Sequence, residues 1–378
     1  MYIKRSIETD LLAHLQPGKA VILYGPRRVG KTTLMRKIRS GFPESTTMEL
    51  SGDDQDALWL GSRSLETLRS RLGSTDLLLV DEAQQIPQIG LSLKLIVDHF
   101  PALRVLATGS SSFELARQIG EPLVGRAWIY HLYPLSQMEL TPTENPSQTM
   151  ARLPDRLIYG GFPEVFACPD LTDKQALLKS VVDNYLFRDL LILRDIRHAD
   201  KLVDLLRLIA FQIGHEVSLR ELSSGLSLNL DTVERYLDLL EKVFIIQRVH
   251  GYSRNHRKEI TKTCRYYFLD NGLRNALINN FNPLDQRADV GQLWENYLWS
   301  ERKKKNDYAR NTVNSYFWRT YDQQEVDYVE ESGGLLAGYE FKWTTRKTKE
   351  PKAWKAAYPE ATWQTVSRDD YLPFISNS

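Results

Sequence analysis

The sequence predicts an α/β protein that opens with a parallel sheet and continues into a helical segment and a second, smaller α/β segment. In the first part, short and continuously apolar strands alternate with helical stretches, beginning with "KAVILYGP" and "TTLMRKIRS". Strands that are apolar throughout are typical of a parallel sheet covered by helices on both faces. Four further runs predict strands of this sheet: "TTMELSG", "DLLLVDEA", "RVLATGSSS" and "RAWIYHLYPLS".

Length and composition indicate a globular protein of more than one domain. A chain of 378 residues exceeds the usual size of a single hydrophobic core, and 42% hydrophobic with 26% charged residues is typical of soluble proteins. Two cysteines, Cys168 and Cys264, fit a reducing compartment and exclude a disulfide framework. No apolar run approaches the roughly 20 residues of a membrane-spanning helix. We therefore expect a cytoplasmic protein with no membrane partner.

A glycine-rich loop follows the first predicted strand. Residues 25–32 match the pattern G-x-x-x-x-G-K-[ST], with a strand before the loop and a helix after it. In such loops backbone N–H groups surround phosphate oxygens at a helix N-terminus, the lysine reaches the β- and γ-phosphates, and the threonine hydroxyl ligates Mg²⁺. The sequence therefore predicts a site for ATP and Mg²⁺. Its binding residues are Gly25, Pro26, Arg27, Arg28, Val29, Gly30, Lys31, Thr32, Thr33 and Ser110.

Two further strands end in polar side chains that suit this site. The run "LLLVDEAQ" places Asp81 at a strand end, where a carboxylate can join Thr32 around Mg²⁺, and Glu82 one residue further, where it can polarise the attacking water. We assign catalytic roles to Lys31, Asp81 and Glu82. The run "RVLATGSSS" ends in Thr108, Ser110 and Ser111. These side chains either contact the γ-phosphate or water, or cap the next helix.

These motifs resemble those of a large group of bacterial and archaeal AAA-type P-loop ATPases. The similar stretches are "GPRRVGKTTL", "LLLVDEAQ" and "TGSSSFEL…LVGRAWIYHLYPLSQMEL". Downstream, "YGGFPEV", "VDNYLFRDLL", "YYFLDNGLRNAL" and "LWENYL" are similar to the domain of unknown function that usually follows this ATPase domain. The resemblance covers nearly the whole chain and implies an enzyme that hydrolyses ATP to ADP and phosphate.

The resemblance also implies an assembly. Such ATPases commonly act as homo-oligomeric rings, of which a hexamer is one form, with an arginine of one subunit completing the site of the next. An arginine there stabilises charge on the transferring phosphoryl group. Arg126, in "VGRAW", is the first candidate for this catalytic role and Arg117 the second. The alternative for Arg126 is a salt bridge within its own domain.

The middle of the chain predicts a helical connector and then a winged helix-turn-helix. We place domain boundaries to give an ATPase domain at 1–140, a helical connector or lid at 141–200, a winged-helix domain at 201–280 and a C-terminal domain at 281–378. The stretch "SLRELSSGLSLNLDTVERYLDLLEKVFII" spaces its apolar residues, Leu230 among them, as a small three-helix core. Asn229 or Asp231 is expected to cap the second helix of the motif.

The hairpin after this motif is basic and predicts DNA contact. Its residues assigned to DNA binding are Arg248, Arg254, Arg257, Lys258 and Lys262. Basic side chains suit phosphates without reading sequence, and Tyr252 lies among them, where it could stack on a base. The helix before the hairpin is too acidic to read base edges. The alternative is a winged helix that serves as a protein-docking or lid module.

Near the C-terminus, "EVDYVEESGGLLAGYEFKW" predicts a β-hairpin with Asp327 on one strand and Glu340 and Lys342 on the other. This arrangement resembles the PD-(D/E)XK nuclease core, which implies a restriction-endonuclease-like fold and a second divalent metal, Mg²⁺ or Mn²⁺. Glu295, on the helix "LWENYLW", matches a further ligand of that metal. Gln324 and Glu325 are near enough to be secondary ligands. The alternative is a hairpin of solvated charges.

The sequence as a whole predicts an ATP-hydrolysing AAA-type protein that acts on DNA by remodelling or translocation, with branched DNA in repair or recombination as one setting. The expected partners are DNA, without sequence preference, and further copies of the chain. A second hypothesis is a nucleotide-gated switch or scaffold that binds a protein partner. A third is an ATP-regulated nuclease in defence or repair.

Overall fold

The computed structural model describes residues 2–109, 123–186, 199–253, 264–345 and 348–376. It divides into two compact units, Met1–Tyr133 with Lys242–Phe244 and Pro134–Glu241 with Ile245–Ser378. Each unit contains helices and one sheet, so the predicted α/β class is confirmed. Within the described ranges no helix is long and apolar enough to cross a membrane. The division into four domains stays a prediction.

The sheet of the first unit is parallel throughout, as predicted. Its strands are β1 (Ala20–Tyr24), β2 (Thr47–Ser51), β3 (Leu77–Asp81), β4 (Arg104–Gly109) and β5 (Ala127–His131). They lie in the order β2-β3-β4-β1-β5. Every residue of β1 is buried, as are the first four of β3, because helices cover both faces of such a sheet. The ends of β1, β3 and β4 therefore meet at one edge.

The helices of this unit connect its strands. They are α1 (Glu8–His14), α2 (Lys31–Arg39), α3 (Leu65–Leu72) and α4 (Ile89–His99), with 3₁₀ turns at Glu44–Thr46, Gln55–Ser62 and Ala83–Gln85. Helix α2 begins directly at the predicted phosphate loop, and Gly30 precedes it in the left-handed conformation, with φ 97°. A side chain is disfavoured at that angle, which explains a glycine before the helix.

The second unit contains a mixed sheet. Its strands are β6 (Glu216–Val217), β7 (Ile246–Gly251), β8 (Cys264–Phe268), β9 (Asn314–Arg319), β10 (Glu325–Ser332), β11 (Leu335–Lys342) and β12 (Thr362–Ser367). They lie in the order β12-β11-β10-β9-β7-β8-β6, with β7 parallel to β9, β11 parallel to β12 and the other pairs antiparallel. One sheet thus includes strands of both the predicted winged-helix segment and the predicted C-terminal segment.

In the chain after β5, helices alternate with the strands of this second sheet. They are α5 (Gln137–Leu140), α6 (Pro146–Tyr159), α7 (Pro163–Ala167), α8 (Leu171–Ser180), α9 (Ala199–Phe211), α10 (Leu219–Leu226), α11 (Leu230–Lys242), α12 (Asn271–Leu277), α13 (Val290–Tyr308), α14 (Lys352–Ala357) and α15 (Leu372–Ile375). A π-helical turn spans Val181–Leu186 and 3₁₀ turns span Thr141–Thr143 and Leu284–Gln286. From α13 to β12 the element order is helix, three strands, helix, strand.

Helices α10 and α11 lie where the sequence predicts the two helices of a helix-turn-helix. The Asn229 side chain accepts a hydrogen bond from the Thr232 N–H at 2.7 Å, so Asn229 is confirmed as a helix cap. Leu222, Leu226, Val233, Tyr236, Leu237 and Leu240 are buried. Leu230 is 38% exposed, and its prediction as a core residue is wrong, because in the first turn of α11 it is Val233 that is buried, while Leu230 lies on the exposed side of that turn.

The stretches "YGGFP" and "LDNGL" pack against each other. Asp270 accepts a hydrogen bond from the Gly161 N–H at 2.7 Å and caps α12 through the Leu273 N–H at 3.0 Å. A Cβ added at Gly160 would lie 2.1 Å from an Asp270 carboxylate oxygen, and one at Gly272 would lie 2.1 Å from the Tyr159 carbonyl oxygen. Gly160 therefore leaves room for the Asp270 carboxylate and Gly272 for the backbone of Tyr159, and the motifs have a structural role.

The basic run at 302–305 is neutralised within the second unit. Arg302 donates to both carboxylate oxygens of Glu330, at 2.8 and 2.6 Å, and Lys304 pairs with Glu301 at 2.7 Å. Lys305 donates to the Ser376 carbonyl at 2.8 Å, next to the end of α15. A cation at a helix C-terminus interacts favourably with the helix dipole. The clustered basic residues of this run therefore have partners within the second unit.

A buried ion network gives a test of this fold. We expect Asp289→Asn to lower the free energy of unfolding by about 2–3 kcal/mol, because it removes the partner of two buried guanidinium groups. Asp289 accepts from Arg274 at 2.5 Å and from Arg287 at 2.8 Å. Burial alone would raise the pKa of Asp289, but the hydrogen bonds from these arginines lower it to about 2.

Urea denaturation at several pH values measures the effect. Because the pKa is lowered on folding, the stabilisation is complete above the unfolded value near 4 and is lost as the pH falls toward 2. The difference in free energy of unfolding between the wild-type protein and Asp289→Asn is therefore expected to narrow as the pH falls from 4 to 2. Asp285→Asn, at an exposed position, is the control. A gap of the same size at pH 2.5 and pH 6 would contradict the assigned role of the ion network.

Candidate functional site

The predicted phosphate loop connects β1 to α2 at the edge where the parallel strands end. A Cβ added at Gly25 would lie 2.2 Å from the Leu132 carbonyl oxygen, so the loop leaves the strand in contact with the backbone beyond β5. Arg28 has φ 61° and Gly30 has φ 97°. The left-handed conformation costs a residue such as Arg28 roughly 1 kcal/mol, so surrounding contacts must hold the loop in this shape.

Lys31, the lysine of the loop, turns back over the loop backbone. Its ammonium donates to the carbonyl oxygens of Gly25 and Pro26, at 2.8 and 2.9 Å, and the residue is 4% exposed. The cation therefore lies inside the curve of the loop, on the first turn of α2. This is where a lysine can neutralise phosphate charge next to a helix N-terminus.

The Asp81 carboxylate, at the end of β3, joins two hydroxyl groups. Thr32 donates to one of its oxygens at 2.7 Å, and Thr108, fully buried at the end of β4, donates to the other. The structure thus brings together three of the predicted polar residues from three segments of the chain. A carboxylate and a hydroxyl at one edge are oxygen donors of the kind that Mg²⁺ prefers, so these residues fit the ion.

Glu82, the other predicted catalytic carboxylate, follows in a strained backbone conformation, with φ 46° and ψ 44°. Its N–H donates to Asp81 at 3.2 Å and to Thr108 at 3.3 Å, and Gln84 donates to its carboxylate at 2.5 Å. Left-handed residues other than glycine are uncommon and concentrate at functional sites. In this conformation the backbone at Glu82 turns out of the direction of β3. Glu82 directly follows Asp81, whose carboxylate accepts from Thr32.

Sequence reasoning missed two residues that shape this edge. Gly52 donates its N–H to the Asp81 carbonyl at 2.8 Å, and a Cβ there would lie 2.3 Å from the Glu82 carbonyl oxygen. Arg5 is 4% exposed and donates to the Val29 carbonyl in the loop at 2.7 Å. Gly52 is the last residue of the predicted strand "TTMELSG", a signal that could have been used. Arg5 belongs to no motif.

Arg126, the predicted arginine finger, lies at the other edge of its own sheet. It directly precedes β5, and its carbonyl accepts from the N–H of Ala20, where β1 begins. A five-residue strand spans roughly 16 Å, so Arg126 does not line the loop of its own chain. Its side chain pairs with Asp98 at 2.7 Å, and this hydrogen bond lowers the pKa of Asp98. Ser110, Ser111 and Arg117 lie outside the described residues.

The predicted metal residues near the C-terminus have other partners. Asp327 accepts a hydrogen bond from the Phe341 N–H at 2.8 Å, and Lys342 pairs with Glu340 at 2.6 Å. Arg265, 3% exposed on β8, donates to Glu295 at 3.2 Å and to Glu325 at 2.9 Å. Two basic side chains thus lie among the carboxylates that were expected to surround a metal.

Burial and mutual repulsion change how two of these carboxyls titrate. Burial, and then the negative charge of Asp327, raise the pKa of Glu295 to about 8. Burial, with the charge of Asp327 second, raises the pKa of Glu340 to about 7. A buried carboxyl group beside another negative charge holds its proton to higher pH, even where a cation is also near it.

These contacts correct the prediction of a second metal. Across the described ranges, no three His, Cys, Asp or Glu side chains converge as metal ligands, so the arrangement of Glu295, Asp327 and Glu340 does not support that site. The physical reason is the Arg265 guanidinium, which bridges Glu295 and Glu325, together with the Lys342 ammonium on Glu340. The carboxylates thus have cationic partners within the protein.

The basic hairpin is described only at its base. Arg248 pairs with Asp238 at 2.9 Å and is largely buried, so its charge is used inside the second unit and a role in DNA binding is not supported by its contacts. Tyr252 packs edge-on against Tyr316 and Tyr358, with ring centroids 5.3 and 5.4 Å away, and is a partly buried residue packed against the core. Arg254, Arg257, Lys258 and Lys262 lie outside the described residues.

Comparison with family models identifies three segments. Residues 17–141 match a model described as an AAA domain. Residues 150–284 and 290–369 match two models described as domains of unknown function, DUF8612 and DUF4143. The order agrees with the resemblance found in the sequence motifs.

Two relatives are similar to this protein over most of its length. An uncharacterised protein of Mycobacterium tuberculosis is 28% identical over 347 residues, covering 90% of this chain and 74% of its own length. One of Methanocaldococcus jannaschii is 23% identical over 390 residues, covering 97% of this chain and 83% of its own.

Among solved structures, AMPPCP-bound DnaA from Aquifex aeolicus is 16% identical, with 62% of this chain and 86% of that chain covered and a TM-score of 0.25. The Pif1 helicase from Candida albicans is 13% identical, with 48% of each chain covered and a TM-score of 0.28. At these TM-scores neither likeness indicates a function for this chain. The parallel sheet and its phosphate loop thus lie in the segment that matches an AAA domain, and a segment that matches DUF4143 follows further along the chain.

Proposed function

We propose that this protein binds ATP with Mg²⁺ and hydrolyses it to ADP and phosphate, and that it uses this cycle to act on DNA. The observation on which the hydrolysis proposal rests is the Asp81 carboxylate, which receives hydrogen bonds from Thr32 of the loop helix and Thr108 of the next strand. Strand end, loop and catalytic glutamate are therefore ordered together at one edge of the sheet.

The roles of the residues follow from this arrangement. The loop N–H groups and Lys31 would hold the phosphates, and Thr32 and Asp81 would hold Mg²⁺, which when bound neutralises phosphate charge. Glu82 would accept a hydrogen bond from the attacking water and take its proton as the water oxygen bonds to the γ-phosphorus and the bond to the β-phosphate oxygen breaks. Gln84, bonded to Glu82 at 2.5 Å, would orient that carboxylate.

Assembly into a homo-oligomer, a hexameric ring among its forms, is part of the proposal. The Arg126 side chain is 39% exposed and pairs with Asp98. It lies at the edge of the sheet opposite the phosphate loop of its own chain. A role in hydrolysis therefore requires that it act in the site of a neighbouring subunit, and the Asp98 pair would have to open there. The exposure of both side chains makes that exchange inexpensive.

The DNA proposal rests on charge. The sequence between β7 and β8 contains Arg254, Arg257, Lys258 and Lys262, and a group of basic side chains binds phosphates without sequence preference. We propose that this hairpin is the wing of a winged helix in residues 201–280. The C-terminal segment at 281–378 is proposed as a nuclease-like fold that contributes DNA-binding surface.

For ATP hydrolysis, we expect Glu82→Gln to lower kcat by at least about 100-fold, because the amide cannot accept the proton of the attacking water. Nucleotide affinity is expected to stay within about twofold, since the loop and Lys31 are intact. Phosphate release and binding of a fluorescent ATP analogue measure the two quantities. Glu44→Gln, at an exposed position of the same unit, is the control. Equal rates in both variants would remove Glu82 from the mechanism, and no hydrolysis with or without duplex, branched or single-stranded DNA would refute the ATPase proposal.

For DNA contact, we expect affinity for duplex DNA to fall steeply with salt. The logarithm of the binding constant changes by about 0.9 per neutralised phosphate for each unit in the logarithm of salt concentration. Changing Arg254, Arg257, Lys258 and Lys262 together to Gln should flatten the slope by about 3–4 and weaken binding alike on unrelated sequences.

The matched control changes four exposed basic residues of the first unit, Lys37, Arg63, Arg69 and Arg71, to Gln, with the same loss of charge. Fluorescence anisotropy over a salt series reports both slopes. If the control variant loses as much affinity as the hairpin variant, binding reflects general charge. If the wild-type protein does not bind DNA at low salt, a protein-binding switch becomes the better proposal.

A further inference from the structure

Arg5, before the first helix and outside every motif, connects two distant parts of the first unit. Its guanidinium donates from Nη1 to the carbonyl oxygen of Val29 at 2.7 Å and from Nη2 to the carbonyl oxygen of Tyr133 at 2.6 Å. The residue is 4% exposed. A buried guanidinium needs several acceptors to compensate for its lost hydration, and one of those found here is inside the phosphate loop.

The Val29 carbonyl lies at the strained part of the loop. Val29 stands between Arg28, with φ 61°, and Gly30, with φ 97°. Left-handed residues within a loop turn successive N–H groups toward one concave side, which binds anions. The carbonyl held by Arg5 then needs a donor of its own, since a buried carbonyl without one is costly. Arg5 supplies that donor at the residue between the two strained positions.

The second acceptor fixes the other end of the guanidinium. Tyr133 lies two residues beyond β5, the neighbour of β1 in the sheet, and is the last residue of the first stretch of this unit. Because the guanidinium is planar and its donors form a rigid fork, it sets the position of the loop carbonyl relative to the edge of the sheet. A lysine ammonium offers no such fork.

We propose that Arg5 is a positioning residue of the nucleotide site, which holds the phosphate loop in its anion-binding shape. This inference rests on the proposed ATP binding. Arg5 touches the loop through a backbone carbonyl, so its loss weakens binding of the phosphates in ground and transition states alike. Such a change raises KM and leaves kcat nearly constant, whereas a merely structural role would lower thermal stability and leave the KM of the folded protein unchanged.

The test compares Arg5→Gln, Arg5→Lys and the neighbouring exposed Lys4→Gln in the full chain. We expect Arg5→Gln to raise KM for ATP and the dissociation constant for ADP about tenfold or more, the factor that corresponds to losing one charged hydrogen bond. Arg5→Lys should give an intermediate value and Lys4→Gln the wild-type value. Hydrogen exchange of peptides covering 24–33 should be faster in Arg5→Gln than in Lys4→Gln, with or without nucleotide.

The readouts separate this inference from the proposed function. If the wild-type chain does not hydrolyse ATP, the ATPase proposal fails, and loop exchange together with ADP affinity still decides the role of Arg5. Wild-type exchange and wild-type affinity in Arg5→Gln would overturn the inference. Should Arg5→Gln not fold, Arg5→Lys replaces it, and a KM and loop exchange equal to those of Lys4→Gln would overturn the inference as well.

Discussion

The hydrogen bonds to the Asp81 carboxylate are the contact on which the nucleotide site depends. Thr32 and Thr108 each donate to one oxygen of this carboxylate, so the start of α2 and the ends of β3 and β4 are tied at one point. A carboxylate can accept at both oxygens at once, and strands of a parallel sheet end at a common edge. The strain at Glu82 is sustained because its N–H donates to Asp81 and Thr108.

In the second unit, buried charges serve mainly as internal connections. Arg265 reaches from β8 to Glu295 on α13 and Glu325 on β10, and Asp270 connects the "YGGFP" stretch to α12. Removing one partner of such a pair leaves a buried charge without compensation. Motifs that identify the family by sequence are therefore explained here by packing and hydrogen bonding, with no catalytic chemistry required of them.

The phosphate loop and the expected C-terminal metal cluster differ in how far a sequence can predict their geometry. The loop around Lys31 is contiguous, so the residues of its motif are neighbours in any fold that contains it, and the strand and helix on either side were predictable from their apolar pattern. The predicted metal cluster needed side chains from α13, β10 and β11 to converge. Nothing in the spacing of Glu295, Asp327 and Glu340 revealed that Arg265, from another strand, would donate to Glu295.

The sequence by itself determined the parallel sheet, the phosphate loop and the order of the AAA segment and the segments after it, because these follow from local hydrophobic pattern and contiguous motifs. The tertiary structure alone decided that Arg5 holds the Val29 carbonyl, that Arg126 pairs with Asp98 and that the 302–305 run is internal. These pairings join residues distant in the chain. Their energies depend on burial and on which groups meet, and a single sequence does not specify either.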